Sequence, residues 1–155
     1  MKQKAILLLG HNRFMFKLVY FIINGKIKPF MVFLGRILMS QIFIVAGISK
    51  LFSLSGTAIY MTSKGIPFIP FLLTMAVVFE LGGGISLLFG YKARFGALML
   101  ILFLIPTTLI FHNFWAFPLE YQQLQMAMFM KNLAIMGGLC MLVSYGPSSI
   151  SLDRR

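Results

Sequence analysis

Six residues able to carry charge, move protons or fix a polar ligand lie where a chain can least accommodate them. Arg36, Glu80, His112, Asn113, Lys131 and Asn132 fall inside or at the edge of long apolar stretches. A charge placed in hydrocarbon costs at least about 2.5–3.5 kcal/mol and is normally held by a partner. Glu80 is the only carboxylate in any of these stretches. Set between Arg36 and Lys131, it would leave a net positive hole suited to an anion or an electron-rich head group. The same pairing could equally do no more than pin two helices in register. His112, whose unperturbed pKa lies near neutrality, could relay protons at a quinone-like ligand. It also reads as an interfacial anchor beside the belt residue Trp115. Lys50 is a candidate outer-edge contact whose ammonium can snorkel to the headgroups.

Other chemistries lack their residues. Cys140 is the single cysteine and there is no Cys-x-x-Cys, so a thiol relay within the chain is excluded. Neither His-x-x-x-His nor Cys/His ligand spacing occurs, and no metal is expected. The alternating Met126, Met128 and Met130 do not form a closely spaced sulfur cluster for copper. On helix rise, Cys140 and His112 are separated by about 20 Å in depth, so a stand-alone catalyst with a covalent nucleophile is not expected.

The elements that must position these residues are four apolar runs, at about 30–52, 68–90, 95–115 and 124–145. Each is close to the roughly 20 residues that a helix needs to cross a bilayer. Of the 155 residues, 59% are hydrophobic and 11% charged, against about 45–50% and about 25% in a soluble domain. The expected fold is all-α: an integral membrane four-helix bundle spanning residues 29–147. A basic interfacial segment (1–28) precedes it and a cytoplasmic tail (148–155) follows.

Helical spacing places Arg36, Ser40, Phe43, Gly47 and Lys50 on one stripe of the first span, and Ala76, Glu80, Gly83, Gly84 and Leu87 on one face of the second. Thr108, His112 and Ala116 share a face of the third. Ala127, Lys131, Ala134 and Gly138 share one of the fourth. Small residues mark helix contacts in membranes, and Gly82, Ser86 and Gly90 add a further candidate series. At about 1.5 Å per residue, Arg36 lies about 10 Å, Glu80 about 13 Å and Lys131 about 18 Å from the cytoplasmic edge, which predicts a cluster near the midplane.

In the leader, the apolar part of 14–23 is too short to span and reads as a helix lying on the membrane. The connection 53–67 is broken at both ends, with a mildly apolar patch at 58–61 suited to the membrane surface. The net charge of +11 is unevenly placed. With both termini inside, the inner side carries ten basic residues (Lys2, Lys4, Arg13, Lys17, Lys26, Lys28, Lys92, Arg94, Arg154 and Arg155), the outer side only Lys50 and Lys64. This is a positive-inside bias. It adheres to anionic lipid, and no basic stretch carries the signature of a nucleic-acid module.

From about Gly35 to Arg155 the chain resembles the DoxX family of small four-helix membrane proteins. The resemblance is carried by Arg36, by Ala46-Gly47-Ile48-Ser49-Lys50-Leu51 and by Glu80-Leu81-Gly82-Gly83-Gly84. Gly90-Tyr91-Lys92-Ala93-Arg94, His112-Asn113-Phe114-Trp115, Lys131-Asn132-Leu133-Ala134 and the ending from Gly146-Pro147 to Arg154-Arg155 follow in order. It implies a bacterial inner-membrane bundle. It implies function only through relatives linked to quinone-dependent sulfur-compound oxidation or other membrane redox complexes. This chain lacks the paired cysteines that direct sulfur relay would use.

Three functions compete. One is an accessory or scaffold subunit whose polar residues assemble the bundle or dock a membrane or redox partner, or a second copy. Another is a component that binds a quinone or small anion through Lys131, His112 and Glu80. The third is a small transporter or lipid-handling protein.

Overall fold

The computed structural model describes residues 14–18, 20–21 and 27–153. Residues 14–18 and 20–21 are helical, and Phe14, Phe16 and Tyr20 are exposed. The rest of the expected interfacial segment lies outside the described residues. Five α-helices follow: α1 (Ile27–Phe52), α2 (Leu54–Ser63), α3 (Ile69–Phe89), α4 (Ala93–Phe111) and α5 (Leu119–Tyr145). All but α2 are long and apolar enough to cross a membrane, and the described residues contain no strand. The fold is an all-α membrane bundle.

α1 begins before Pro29 because a proline in the first helical turn gives up an N–H that has no intrahelical partner there. α2 replaces the expected surface patch with a full helix. Its hydroxyls do not compete with helix formation, since Thr57, Thr62 and Ser63 each donate back to a carbonyl three or four residues earlier, at 2.8–2.9 Å. Its Met61 is buried with Leu73 and Val77 of α3.

α4 stops at Phe111 rather than running to 115. Asn113 (φ −71°, ψ 68°) makes an inverse γ-turn, with the Phe114 amide donating to the His112 carbonyl at 2.8 Å, and a 3₁₀ turn over Phe114–Ala116 follows. Ala116 is therefore not on the helical face that holds Thr108 and His112.

α1 packs on α3, α3 on α4 and α4 on α5, while α2 covers the start of α3. The α1–α3 seam is antiparallel and close. A Cβ on Gly47 would meet the Leu81 side chain at 2.7 Å and Glu80 Cβ at 3.3 Å, and one on Gly84 would meet Ile44 and Phe43. Gly83 receives Leu100 of α4. The main core joins Phe43, Leu87, Leu100, Leu104, Leu139 and Leu142. Ser86 packs at Gly96 and Gly90 lies against Arg36 and Ser151, but Gly82 is exposed with nothing near its missing Cβ, so that expected series packs only in part.

The chain after α5 turns back over the bundle end. The amides of Leu152 and Asp153 donate to the carbonyls of Phe89 and Gly90 at 3.1 and 3.2 Å. This tail end gathers the start of α1, the end of α3, the start of α4 and the end of α5. The opposite, loop end gathers α2 and the turn at His112.

Candidate functional site

Lys50 and Glu80 make the one ion pair among the described residues, with Lys50 Nζ 2.8 Å from both carboxylate oxygens. The expected midplane cluster of Arg36, Glu80 and Lys131 does not form, and the causes are helix register and side-chain direction. Side chains on a helix lean toward its N-terminus. α1 and α3 are antiparallel, so Lys50 and Glu80, about one turn apart in level, lean toward each other across Gly47. Arg36 leans the same way as Lys50, which carries it away from Glu80. The register puts Gly47 opposite Glu80, so Arg36 lies about 16 Å further along the axis.

Arg36 serves the tail instead. It is 1% exposed, and its Nη1 and Nη2 donate to the carbonyls of Pro147 and Ile150 at 2.9 and 2.8 Å. Lys131 lies on an exposed face of α5, which packs on α4 and not on α3. Its ammonium meets the Met128 sulfur at 3.4 Å.

The pair borders a cavity of about 560 Å³ at the loop end, beneath α2. Lys50, Ser49 and Ala76 line one side. His112, Thr107 and Phe103 line the other, with Tyr60 of α2 above. Tyr60 packs against Phe111 with ring centroids 5.4 Å apart, and the Lys64 ammonium sits 4.2 Å over the Phe117 ring, tying α2 to the turn after α4. Lys50 therefore does not merely snorkel outward. It stands between the buried Glu80 carboxylate and the cavity, with a quarter of its side chain exposed.

An ammonium has three donors, and two go to Glu80, leaving one. His112 Nδ1 lies 2.9 Å from Gln125 Oε1. With that oxygen as acceptor Nδ1 carries the proton, leaving Nε2 as an acceptor in the neutral ring. The cavity thus combines an apolar wall with the third ammonium donor of Lys50, the second ring nitrogen of His112 and the hydroxyls of Ser49, Ser53 and Tyr60. It can receive a small amphipathic molecule bearing a carbonyl and a hydroxyl.

The remaining candidates stand apart. Asn132 is buried and donates to Thr108 Oγ1 at 3.0 Å, a polar clamp between α5 and α4. Asn113 Oδ1 is buried without a hydrogen-bond partner among the described residues. Trp115 is 57% exposed and sits edge-on to Phe114 and Phe129, as an interfacial aromatic would. Sequence reasoning overlooked Thr107, Tyr60 and Gln125. The signal available for Gln125 was its place in the polar opening turns of the last span, facing back toward His112.

Four apolar helices around a few internal polar groups define a multi-pass membrane protein. The DoxX family model matches residues 31–113, more than half of the chain and a stretch that includes Lys50, Glu80 and His112. The chain belongs to the DoxX family. It is 38% identical over 129 residues to the inner membrane protein YqjF of Escherichia coli K12, covering 83% of this chain and 94% of that one. To the inner membrane protein YphA of the same organism it is 34% identical over 131 residues, covering 84% and 94%. These relatives place it among bacterial inner-membrane proteins. It is also similar to the ER-derived vesicles protein ERV29 of Saccharomyces cerevisiae, 27% identical over 132 residues, covering 85% of this chain and 36% of that one. No solved structure matches.

Proposed function

We propose that this protein is an accessory, redox-linked inner-membrane component that receives a quinone-type head group in the cavity beneath α2. The observation that supports this reading most is the Lys50–Glu80 pair at the cavity wall, with one ammonium donor left over and His112 opposite. A quinone or quinol fits that polarity: a quinone carbonyl or a quinol hydroxyl oxygen accepts from Lys50, a quinol hydroxyl donates to His112 Nε2, and the aromatic wall takes the ring faces. The relatives' names specify a membrane and no ligand, so the reading rests on the cavity. The chain's part is binding and orientation, with electrons supplied by a partner.

Trp115 is the single tryptophan and lies three residues beyond His112, so indole quenching by decylubiquinone in nanodiscs reports occupancy. The parent is expected to show saturable quenching. His112→Ala is expected to weaken it about three- to tenfold, the equivalent of one hydrogen bond, with Ala76→Leu abolishing it by filling the cavity. Quenching that rises without saturation and is the same in all three proteins reports only partition into lipid, and would sink the proposal.

A second reading, a docking role for α5, is favoured by Lys131. This charge is exposed on a spanning helix and shares its face with Ala127 and Ala134. Small residues allow a neighbouring helix to approach, and a carboxylate on that helix would remove the cost of an unpaired charge in lipid. A photo-crosslinker at Ala134 should give one discrete adduct in native membranes that Lys131→Met removes. An adduct of twice the chain mass identifies a homo-oligomer. No adduct, or one indifferent to Lys131, counts against docking.

A further inference from the structure

The α1–α5 seam is the one side of the bundle where two spanning helices fail to close. They meet where Met39 Sδ fills the space in front of Gly138, about two turns from the tail end of α5. Toward the tail end they part into a groove of about 940 Å³, near the top of the ~300–1,000 Å³ range of small-ligand sites. Its walls are Val32, Leu38, Met39 and Met141, with Gly35 adding no side chain. Its outer end carries Lys28, Arg36 and the Ser148–Ser149 backbone of the tail. Arg36 there has two N–H groups committed to the tail, and its buried Nε has no partner among the described residues.

We propose that this groove is a binding site for one anionic phospholipid, its phosphate held by Lys28 at the mouth, with the buried Arg36 guanidinium adding positive potential beneath, and an acyl chain lying over Gly35 toward Met39. Depth selects the occupant. From Lys28 to Met39 is eleven residues, about 16 Å on helix rise, or roughly half of a 30 Å hydrocarbon core. The groove is blind at Met39, so it is one leaflet deep. A transmembrane helix needs the whole thickness and would be stopped halfway. A second copy related by two-fold symmetry would bring Lys28 against Lys28. A lipid of the adjacent leaflet matches the length, the apolar wall and the cationic mouth together, and basic pockets between spanning helices are known acidic-lipid sites. The inference does not depend on the cavity at the opposite end.

The test reconstitutes the full chain in vesicles of equal phosphatidylglycerol and phosphatidylcholine, extracts it in mild detergent and counts retained lipid by native mass spectrometry. One lipid per chain is expected, phosphatidylglycerol favoured about fivefold, as one lysine near anionic headgroups provides. Gly35→Leu fills the groove at a position where an added Cβ meets nothing within 4 Å, so folding should survive, with circular dichroism and thermal melting as checks. This variant should lose the lipid. Gly137→Leu, equally open but off the groove, should keep it. Lys28→Gln should keep a lipid and lose the preference. Three results would overturn the proposal: no lipid on the parent, equal retention by both glycine variants, or a preference unchanged in Lys28→Gln. A lipid-free parent that runs as a dimer dissolved by Gly35→Leu would assign the groove to a second copy and overturn it as well.

Discussion

Replacing Lys50 by methionine leaves the Glu80 carboxylate, 5% exposed, without its only ionic partner in the described residues. Removing one member of a buried pair costs about 3–5 kcal/mol, mostly the penalty of the charge left behind. Lys50 retains a quarter of its exposure, so we expect the lower limit, about 3 kcal/mol. Glu80→Gln should cost less, about 1–2 kcal/mol, because the freed ammonium can turn to the cavity and outer headgroups. The double variant replaces both charges and should fall within about 1 kcal/mol of the parent, since neutral side chains of similar size often substitute for a buried pair. Steric trapping in bicelles measures all four proteins reversibly, and the difference between the summed single costs and the double cost is a coupling energy of about 3–5 kcal/mol. The same cycle on Arg36 and Glu80 should give less than about 0.5 kcal/mol, as expected for separated sites. Additive Lys50 and Glu80 effects, or strong coupling of Glu80 to Arg36, would refute the register argument.

Three further outcomes follow from the geometry. Gly90 has φ +69° and its missing Cβ faces the Arg36 guanidinium and Ser151, so Gly90→Ala should destabilise by more than about 1 kcal/mol. It should also speed proteolysis in the tail; an unchanged cleavage rate would mean that the tail is held elsewhere. Asn132→Leu and Thr108→Val should be coupled by about 0.6 kcal/mol, the average for a hydrogen bond between spanning helices, and a melting-temperature cycle that is additive removes the clamp. The basic asymmetry puts Gly65 and Glu120 outside and Gly90 and the C-terminus inside. Reporter fusions at the four positions check this, and a C-terminal fusion active only outside reverses the topology.

The spanning helices and their buried stripes were legible because lipid imposes a simple rule: apolar runs of fixed length, with odd residues turned inward. Arg36, Ser40, Phe43 and Gly47 are the buried residues of α1, and Glu80, Gly83, Gly84 and Leu87 lie on the buried face of α3. Partner choice was not legible. Depth estimated from nominal span ends treats a side chain as a point beside its Cα, whereas Lys50 and Arg36 both reach well past theirs toward the N-terminus of α1. Register added the larger error: nominal span ends put Arg36 within about 3 Å of the level of Glu80, whereas it lies about 16 Å away. The turn at Asn113 was hidden for a different reason: the run 95–115 is apolar except at Thr107, Thr108, His112 and Asn113, and hydropathy does not register where a backbone stops being helical.

The same lean, acting with the register, explains how Arg36 and Lys50 of α1 come by their partners. In an antiparallel pair, long side chains near the C-terminal end of one helix turn inward, and those near its N-terminal half turn outward along the axis. Lys50, near the end of α1, therefore reaches down to a carboxylate eleven residues into α3, while Arg36, in the first half of α1, reaches out to the tail. Between them the α1–α3 seam holds Ser40, Phe43 and Gly47, with no second charge. A closely packed stretch of the α1–α3 seam thus separates the donor–acceptor cavity from the cationic groove at the tail end. Both proposed ligands are consequently amphiphiles entering from opposite leaflets, and a single variant should disturb only one of them.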